Sequence, residues 1–482
     1  MKIDKNVAWM RDGHPASHWR KAEGDDTSVI CNLSPRHCKI ADGRMGQCGV
    51  RGNMGGELFT FNYGKSVAAT MDYIETEAVN HFRPGAKILS LGNIGCMMSC
   101  DFCQNWRTSQ VRHLNQNDVR RYTPEQIIET CKSLGIEVIS WTYNDPVVWH
   151  EFVVATSRLA QAAGIVTLYK SAFYIETEAV DELIDCIDIF SISLKSMDEK
   201  FYRKFTGGAR LKPVLDMIRK VHASSRHLEV SQLLITGRND TEEEIARTNR
   251  WIIENIGDRV PLHYVAFHPA YLYTDVGRTP EAIVLRAREM ALQAGIRYVY
   301  CGNMFRDGVS DTQCPGCGAV TVRRFGLKAE PVALDEHGCC TQCGTSNDVR
   351  QALRGKQVGT DLQTSPDTHD SEVFLWNAEA NSVHIEVNHE VNDICEIRLE
   401  RLGTDTIPAQ SFAIGGILRR VIASRQTDRE TGVRITRPKG VRLHFYPVLD
   451  RAHFPTSEDL AREVAGFRPR PASSRPEGLA RA

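Results

Sequence analysis

Three closely spaced cysteines form the stretch of the sequence best suited to chemistry. Cys96, Cys100 and Cys103 occur in GCMMSCDFCQN, within residues 92–105, which we call the cysteine loop. The C-x3-C-x2-C spacing wraps three thiolates around one centre. A structural zinc ion takes four protein ligands, whereas a metal centre with one open position is typical of catalysis. The loop therefore predicts a catalytic metal centre, unless a remote fourth ligand closes it.

A second group of cysteines has the spacing of a closed metal site. The segments CPGCG and CCTQCG contain two C-x2-C pairs, and Cys339 is an additional, adjacent cysteine. Four thiolates in this pattern predict a structural site in which zinc is the favoured metal. An auxiliary iron–sulfur cluster is the alternative. The predicted ligands, which we call the four-cysteine knuckle, are Cys314, Cys317, Cys340 and Cys343.

The composition limits the class of protein. The 482 residues contain 59 Lys and Arg against 60 Asp and Glu, so the charge balance points to neither nucleic acid nor a membrane as partner. No apolar run has the length of a membrane span, and the N-terminus lacks the apolar core of a secretory signal. We therefore expect a cytoplasmic protein whose cysteines are reduced and hold metal.

Elements that could position these cysteines alternate along the middle of the chain. Helical patterns such as TPEQIIETCKSLG, TEEEIARTNRWIIENIG and TPEAIVLRAREMALQAG separate short apolar runs, each with an N-terminal Thr for capping and a Gly at its end. Repeated βα units predict an α/β fold with a parallel sheet, either a full or partial TIM-like barrel or a doubly wound open sheet. The predicted strands are 87–91, 137–143, 165–169, 188–194, 228–235, 262–267 and 297–302.

The sequence also predicts how the chain is divided. The C-terminal part alternates apolar and polar residues in short runs, which indicates an all-β domain built as a small sandwich. In a barrel, chemistry belongs to the loops after the strands, and the cysteine loop follows the first of them. The predicted units are a cysteine-bearing N-terminal segment (1–85), the barrel (86–303), the knuckle region (304–358), the β domain (370–455) and a disordered tail (465–482).

The cysteine loop resembles that of the radical S-adenosylmethionine (SAM) superfamily, including the aromatic residue before the last cysteine. The resemblance implies that Cys96, Cys100 and Cys103 bind three irons of a 4Fe-4S cluster, while SAM chelates the fourth. One-electron reduction would then cleave SAM to methionine and a 5′-deoxyadenosyl radical. GCMMSCDFCQNWRTSQ, PLHYVAFHPAYLYTD and CPGCGAVTVRRFG are similar to the AmmeMemoRadiSam-system enzymes, relatives of glycyl-radical-activating enzymes.

The same resemblance implies a SAM pocket around the loops that follow the strands. It assigns Phe102 an aromatic face beside the cluster, and it places Asp145 where the family has Glu. Ser171 begins the segment SAFY, where the family has Thr-Asn-Gly-Tyr, and Lys195 retains the Lys of Asp-Leu-Lys-Gly. Lys195 is expected to pair with the SAM carboxylate or with a substrate acid. These departures at the barrel mouth indicate an altered substrate pocket.

A third cysteine group resembles the four-cysteine motif at the N-terminus of that family. Cys31, Cys38 and Cys48 are present, but Ser34 occupies the position of the fourth cysteine. The motif is either a degenerate site or a zinc site that His37 completes.

The resulting hypothesis is a cytoplasmic radical SAM enzyme that receives electrons from flavodoxin or ferredoxin. Its substrate is either a small biosynthetic metabolite, which the altered pocket favours, or a glycine of a partner protein, which it would convert to a radical. A non-catalytic iron–sulfur scaffold or electron-transfer protein is the alternative from another class.

Overall fold

The N-terminal segment folds into small antiparallel sheets. The computed structural model describes residues 1–304, 306–351, 369–375, 380–388, 395–403, 410–414, 420–424, 430–438 and 442–449. Two three-stranded sheets have the orders β1-β6-β5 and β2-β3-β4, and β7 pairs with a later strand. These strands are β1 (His14–Pro15), β2 (Trp19–Ala22), β3 (Asp25–Cys31), β4 (Lys39–Ile40), β5 (Arg51–Met54), β6 (Glu57–Thr60) and β7 (Lys65–Ser66).

Parallel strands in sequential order form the centre of the molecule. Strand β10 pairs with β7, and the remaining strands follow one another as β16-β15-β14-β13-β12-β11-β9-β8, with only β8 antiparallel to its neighbour. This order confirms the partial barrel, because a doubly wound sheet reverses its order partway. The strands are β8 (Ala68–Tyr73), β9 (Lys87–Gly92), β10 (Arg120–Arg121), β11 (Val138–Thr142), β12 (Val166–Ser171), β13 (Ile189–Leu194), β14 (His227–Leu234), β15 (Leu262–Ala266) and β16 (Val299–Gly302).

Helices cover the outer face of this sheet. Thr123 and Gln126 form a reciprocal capping box at the start of α2, and Thr241 caps α7. Thr279 does not cap α8: its hydroxyl instead donates to Leu234 O and accepts from Phe267 N, which joins two strand ends. The helices are α1 (Trp106–Ser109), α2 (Pro124–Ser133), α3 (His150–Ala162), α4 (Thr177–Cys186), α5 (Glu199–Phe205), α6 (Leu211–Ala223), α7 (Glu242–Ile256) and α8 (Glu281–Gln293).

The segment between β8 and β9 closes the N-terminal end of the barrel. Ile74, Val79 and Phe82 pack there in one apolar cluster, together with the first inward-facing residues of several strands. Glu229 of β14 fixes this plug, because its fully buried carboxylate accepts hydrogen bonds from the backbone N–H groups of Asn80 and His81 at 2.7–3.0 Å. The N-terminal end of the barrel, which we call the barrel floor, is therefore closed by packed side chains.

Replacing Glu229 with glutamine is expected to destabilise the fold. Burial opposes ionisation, but hydrogen bonds from His227 and His263 outweigh it and hold the pKa of Glu229 well below its ordinary value. Glu229→Gln should therefore lower the free energy of unfolding by about 3 kcal/mol at neutral pH. This difference should shrink as the pH falls through the ordinary carboxyl pKa, because the wild type then loses the stabilisation. Urea unfolding, followed by circular dichroism, measures both effects.

The matched control is Glu254→Gln, which removes an exposed carboxylate of α7. It should leave the urea midpoint unchanged within about 0.5 kcal/mol. Equal midpoints for the two variants would contradict the anchoring role of Glu229.

The knuckle region packs against the barrel floor. Buried Arg324 donates hydrogen bonds to Asn80 O and Thr312 Oγ1, and its guanidinium lies 5.6 Å from the ring centroid of Tyr300. The backbone N–H of Arg350 donates to His81 O. The knuckle region thus covers the end of the barrel opposite the cysteine loop. Its strands are β17 (Thr312–Gln313), β18 (Val320–Phe325) and β19 (Lys328–Pro331).

The C-terminal strands form two groups. One sheet has the order β20-β25-β22-β23, and the other group, β24-β21-β26, continues the barrel sheet because β24 pairs in parallel with β8. Buried residues of both groups, such as Val383 and Val433, belong to one hydrophobic cluster. The strands are β20 (His369–Leu375), β21 (Ala380–Asn388), β22 (Cys395–Leu402), β23 (Gln410–Ile414), β24 (Arg420–Ser424), β25 (Gly432–Pro438) and β26 (Arg442–Leu449).

The domain boundaries remain predictions, and the tail at 465–482 lies outside the described residues. Among the helices that the structure describes, none is both long and apolar enough to cross a membrane.

Candidate functional site

The cysteine loop follows β9 at the mouth of the barrel and is held by side-chain amides. Asn144 Nδ2 donates to the carbonyl oxygens of Asn93 (2.7 Å) and Gly95 (2.8 Å). Asn62 Nδ2 donates to Ile94 O at 3.1 Å. Gly95 has a φ of +84°, and a Cβ there would lie 2.7 Å from Cys48 O, so the position requires glycine. The loop backbone is therefore fixed independently of any metal.

The three thiols of the loop lie half-buried and close enough to influence one another. Burial, followed by the charges of Asp145 and the other two cysteines, raises the pKa of the Cys96 thiol well above its ordinary value. Burial likewise raises the pKa of Cys100, to about 12, and that of Cys103. Thiolates in this environment need a positive partner, which iron supplies. The donor set and its burial therefore fit an iron–sulfur cluster.

Lys195 provides a positive charge at the same mouth. Its backbone is fixed by Tyr202 OH and by Asn239 Nδ2. Its ammonium lowers the pKa of both Cys100 and Cys103, although burial outweighs this effect. Among the described residues, the Lys195 ammonium has no hydrogen-bond or ion-pair partner. A half-buried cation without a partner is suited to receiving an anionic ligand.

Asp145 and Ser171 lie side by side, as expected for residues of one pocket. Their side chains form a hydrogen bond with each other. Ser171 Oγ donates to Asp145 Oδ1 at 2.8 Å, and Ala172 N donates to Oδ2 at 2.8 Å. Asp145 also accepts from Val147 N at the start of the 3-10 helix Pro146–Trp149. Both carboxylate oxygens therefore fasten two strand-end loops together beneath the cysteine loop.

Phe173 adopts a backbone conformation that suits glycine. Its φ is +60°, in the left-handed region. A bulky residue in this region costs about 1–2 kcal/mol. Full burial of the ring offsets the cost: it packs 6.2 Å from Tyr169 and 5.7 Å from Phe190, between ring centroids. The phenylalanine side chain therefore fills space beside Ser171 and Asp145.

Phe102 belongs to the cysteine loop, and its ring is buried in an aromatic cluster rather than lying on an open surface. Its side chain is 4% exposed, and its ring centroid lies 5.8 Å from Phe201 and 6.3 Å from Tyr273. The contacts make it an anchor of the loop.

Sequence reasoning missed a charged layer inside the barrel. Lys170 Nζ donates to Ser191 Oγ and Ser231 Oγ, each at 3.0 Å, and burial lowers its pKa to about 8. Burial and the nearby charge of Glu77 raise the pKa of Asp72 to about 7. The signal in the sequence was Lys170 itself, a cation within an otherwise buried strand. The lumen beneath the cysteine loop is therefore polar and carries both signs of charge.

The four-cysteine knuckle has the compactness of a single-ion site. All four sulfur atoms lie within 4.8 Å of one another, with 3.5 Å between Cys314 and Cys343 and 3.7 Å between Cys317 and Cys340. A tetrahedron with zinc–sulfur bonds of 2.3 Å has an edge of about 3.8 Å. The cysteine loop does not meet this criterion among the described residues. This difference is expected, because each thiolate on a cluster binds a separate iron.

The third cysteine group converges on one small cavity. Cys31, Cys38, Cys48 and Ser34 line it together with Arg51. His37 does not point into it, because its Nε2 lies 3.0 Å from Glu176 Oε1 and its Nδ1 lies 3.3 Å from Asn32 Oδ1. The proximity of the cysteines was expected, but His37 is not available to complete a site.

Comparison with known proteins agrees with this geometry. Residues 93–252 match the model of the Radical SAM superfamily. The uncharacterized protein MJ0808 of Methanocaldococcus jannaschii is 34% identical over 326 residues, which cover 67% of this chain and 96% of that protein. The chain belongs to the radical SAM superfamily.

Solved structures of this superfamily resemble parts of the chain. A domain of a pyruvate-formate lyase-activating enzyme from Bacteroides vulgatus is 18% identical, with a TM-score of 0.30, over 34% of this chain and 97% of that one. A radical SAM methyltransferase from Sphaerobacter thermophilus is 13% identical, with a TM-score of 0.36, over 60% of this chain and 76% of that one.

Proposed function

We propose that the protein reductively cleaves SAM at a 4Fe-4S cluster bound by Cys96, Cys100 and Cys103. The observation that carries this proposal is the coincidence of the three half-buried thiols and the unpaired ammonium of Lys195 at one barrel mouth. When bound, the cluster supplies the electron that cleaves SAM to methionine and a 5′-deoxyadenosyl radical. The chain itself supplies binding, orientation and exclusion of water.

Individual side chains have separate roles in this proposal. Lys195 pairs with the SAM carboxylate or with a substrate acid. Asp145 and Ser171 hold the adjoining loops in register, and Phe102 anchors the cysteine loop through its packing against Phe201 and Tyr273. The roles of Asp145, Ser171 and Phe102 rest on hydrogen bonds and packing within the chain itself, so this part of the site is preorganised.

The substrate that fits best is a small polar molecule. The lumen beneath the cysteine loop contains Lys170, Glu77 and Asp72, and Lys195 lies half-buried at its mouth. A molecule with an anionic group and a hydrogen-bond donor would meet complementary charges there. A small biosynthetic metabolite therefore suits the pocket.

Both the cysteine spacing of the four-cysteine knuckle and its place in the fold favour zinc as its metal. The knuckle region lies on the barrel floor, and the cysteine loop lies at the opposite end. A six-residue strand spans about 20 Å, so a metal on the floor is poorly placed to pass electrons to the mouth. A structural ion suits this location better than an auxiliary redox cluster.

The decisive experiment is release of 5′-deoxyadenosine from the full-length protein after anaerobic cluster reconstitution and reduction with dithionite. We expect 5′-deoxyadenosine and methionine to form from SAM. Intact cluster absorbance without either product would instead identify a non-catalytic iron–sulfur protein.

A basic and aromatic surface beside the cysteine loop suits an acidic electron donor such as flavodoxin. Arg107 and Arg112 are exposed, and Trp106 stacks on Tyr271 with ring centroids 5.2 Å apart. The double variant Arg107→Glu, Arg112→Glu should lower 5′-deoxyadenosine formation driven by reduced flavodoxin about tenfold or more, because it reverses the attracting charge.

Dithionite-driven formation in the same variant is the control, since a small reductant does not need the docking surface. Equal losses with both reductants would contradict a docking role, as would an unchanged rate with flavodoxin.

A further inference from the structure

Two histidines and one carboxylate from distant parts of the chain meet on the outer side of the barrel. His18 precedes β2, His150 begins α3, and Glu182 lies in α4. His18 Nε2 lies 3.1 Å from Glu182 Oε1, and His150 Nε2 lies 3.1 Å from Glu182 Oε2. The two imidazole rings stand edge to face, with centroids 4.9 Å apart. The two nitrogens and a carboxylate oxygen all lie within 4.8 Å of one another.

These separations are those of ligands around one transition-metal ion. With bonds of about 2.1 Å, neighbouring ligands stand about 3.0 Å apart in an octahedron and about 3.4 Å apart in a tetrahedron. The two nitrogen–oxygen distances, one to each oxygen of the Glu182 carboxylate, fall within this interval, as expected if both oxygens face the ion. Two imidazoles and one carboxylate suit zinc and iron rather than calcium or magnesium, which prefer oxygen ligands.

The surrounding residues hold both histidines in place. Ser17 donates its backbone N–H and its hydroxyl to Glu151 Oε1, at 2.8 and 2.9 Å. Because Ser17 precedes His18 and Glu151 follows His150, these bonds tie together the chain segments that carry the two rings. Buried Arg51 forms an ion pair with Glu151 at 2.8 Å, which neutralises that carboxylate. Glu182 is therefore left as the carboxylate that faces both histidines.

Hydrogen bonds alone do not satisfy every buried polar atom of these three side chains. His18 Nε2 is buried and has no hydrogen-bond partner among the described atoms, although it lies 3.1 Å from Glu182. The ring N–H of His18 therefore does not point at Glu182 well enough to form a hydrogen bond. A cation bound by both groups would explain why they lie so close together. The side chain of Glu182 is 40% exposed, so water can reach the site and complete the coordination.

We propose that His18, His150 and Glu182 bind a divalent transition-metal ion such as Zn²⁺, which fastens the N-terminal segment to α3 and α4. This site is separate from the four-cysteine knuckle and from the cysteine loop. It uses none of the residues assigned to SAM chemistry, so the metal-site proposal does not depend on that assignment.

The test compares zinc binding in four full-length proteins. These are the wild type, Glu182→Gln, His18→Gln and the control Glu178→Gln, which removes an exposed carboxylate one turn earlier on α4. Each is equilibrated with Zn²⁺, freed of excess metal and analysed for zinc per chain by mass spectrometry. Competition with a zinc-binding dye gives the affinity, and circular dichroism confirms the fold.

We expect the wild type and Glu178→Gln to carry one equivalent of zinc more than the other two variants. Glu182→Gln and His18→Gln should retain the knuckle zinc but lose at least about tenfold in affinity at the second site. Added Zn²⁺ should raise the melting temperature of the wild type and of Glu178→Gln only. Equal zinc content and affinity in all four proteins would overturn the proposal and leave the triad as a hydrogen-bonded contact.

Discussion

Replacing any one of Cys96, Cys100 and Cys103 with alanine is expected to abolish 5′-deoxyadenosine formation, with a loss of at least about a thousandfold. In the proposed site each thiolate would hold a different iron, so one missing ligand would release an iron or the whole cluster. The two remaining buried thiols would then lack the positive partner that makes their ionised forms stable. Iron content, cluster absorbance and 5′-deoxyadenosine release should all fall together.

The control for this experiment is Cys131→Ala, which removes a buried sulfur of α2 that lies outside all three cysteine groups. It should cost only about 1–2 kcal/mol of stability through the small cavity and should leave cluster content unchanged. Retained iron and activity in a loop variant would refute the assigned ligands. A similar loss in Cys131→Ala would show that the effect reflects general destabilisation.

Replacing Cys314 with serine is expected to remove one equivalent of zinc and to lower the free energy of unfolding by about 4 kcal/mol or more, because metal binding supplies folding energy at such a site. The effect should reach the barrel, since Arg324 of β18 and Arg350 join the knuckle region to the floor. The cysteine loop lies at the other end, so cluster absorbance at low temperature should persist. Zinc analysis and thermal unfolding measure these outcomes.

Cys339→Ser provides a close control, because Cys339 adjoins the proposed ligand Cys340 but is not among the compact group of four. This variant should keep its zinc and its melting temperature. If Cys314→Ser lost iron instead of zinc, an auxiliary cluster would be the correct assignment.

The elements of the barrel and the cysteine groups were determined by local features of the sequence. Apolar runs bounded by caps and glycines located the parallel strands, and Thr123 and Thr241 cap their helices as predicted. Spacing alone distinguished a three-thiol loop from a four-thiol site, because both patterns depend on residues close together in the chain. The barrel mouth was predictable for the same reason, since each loop that follows a strand lies there.

Tertiary structure decided everything that depends on partners distant in sequence. Sequential strand order separated the partial barrel from a doubly wound sheet. Glu229 was recognisable as a strand residue, yet its bonds to Asn80 and His81 cross about 150 positions, so only the folded chain gives its role. The knuckle's position on the floor and the meeting of His18 with His150 and Glu182 have the same origin. Sequence spacing encodes neighbours along the chain, whereas packing decides which distant side chains share one site.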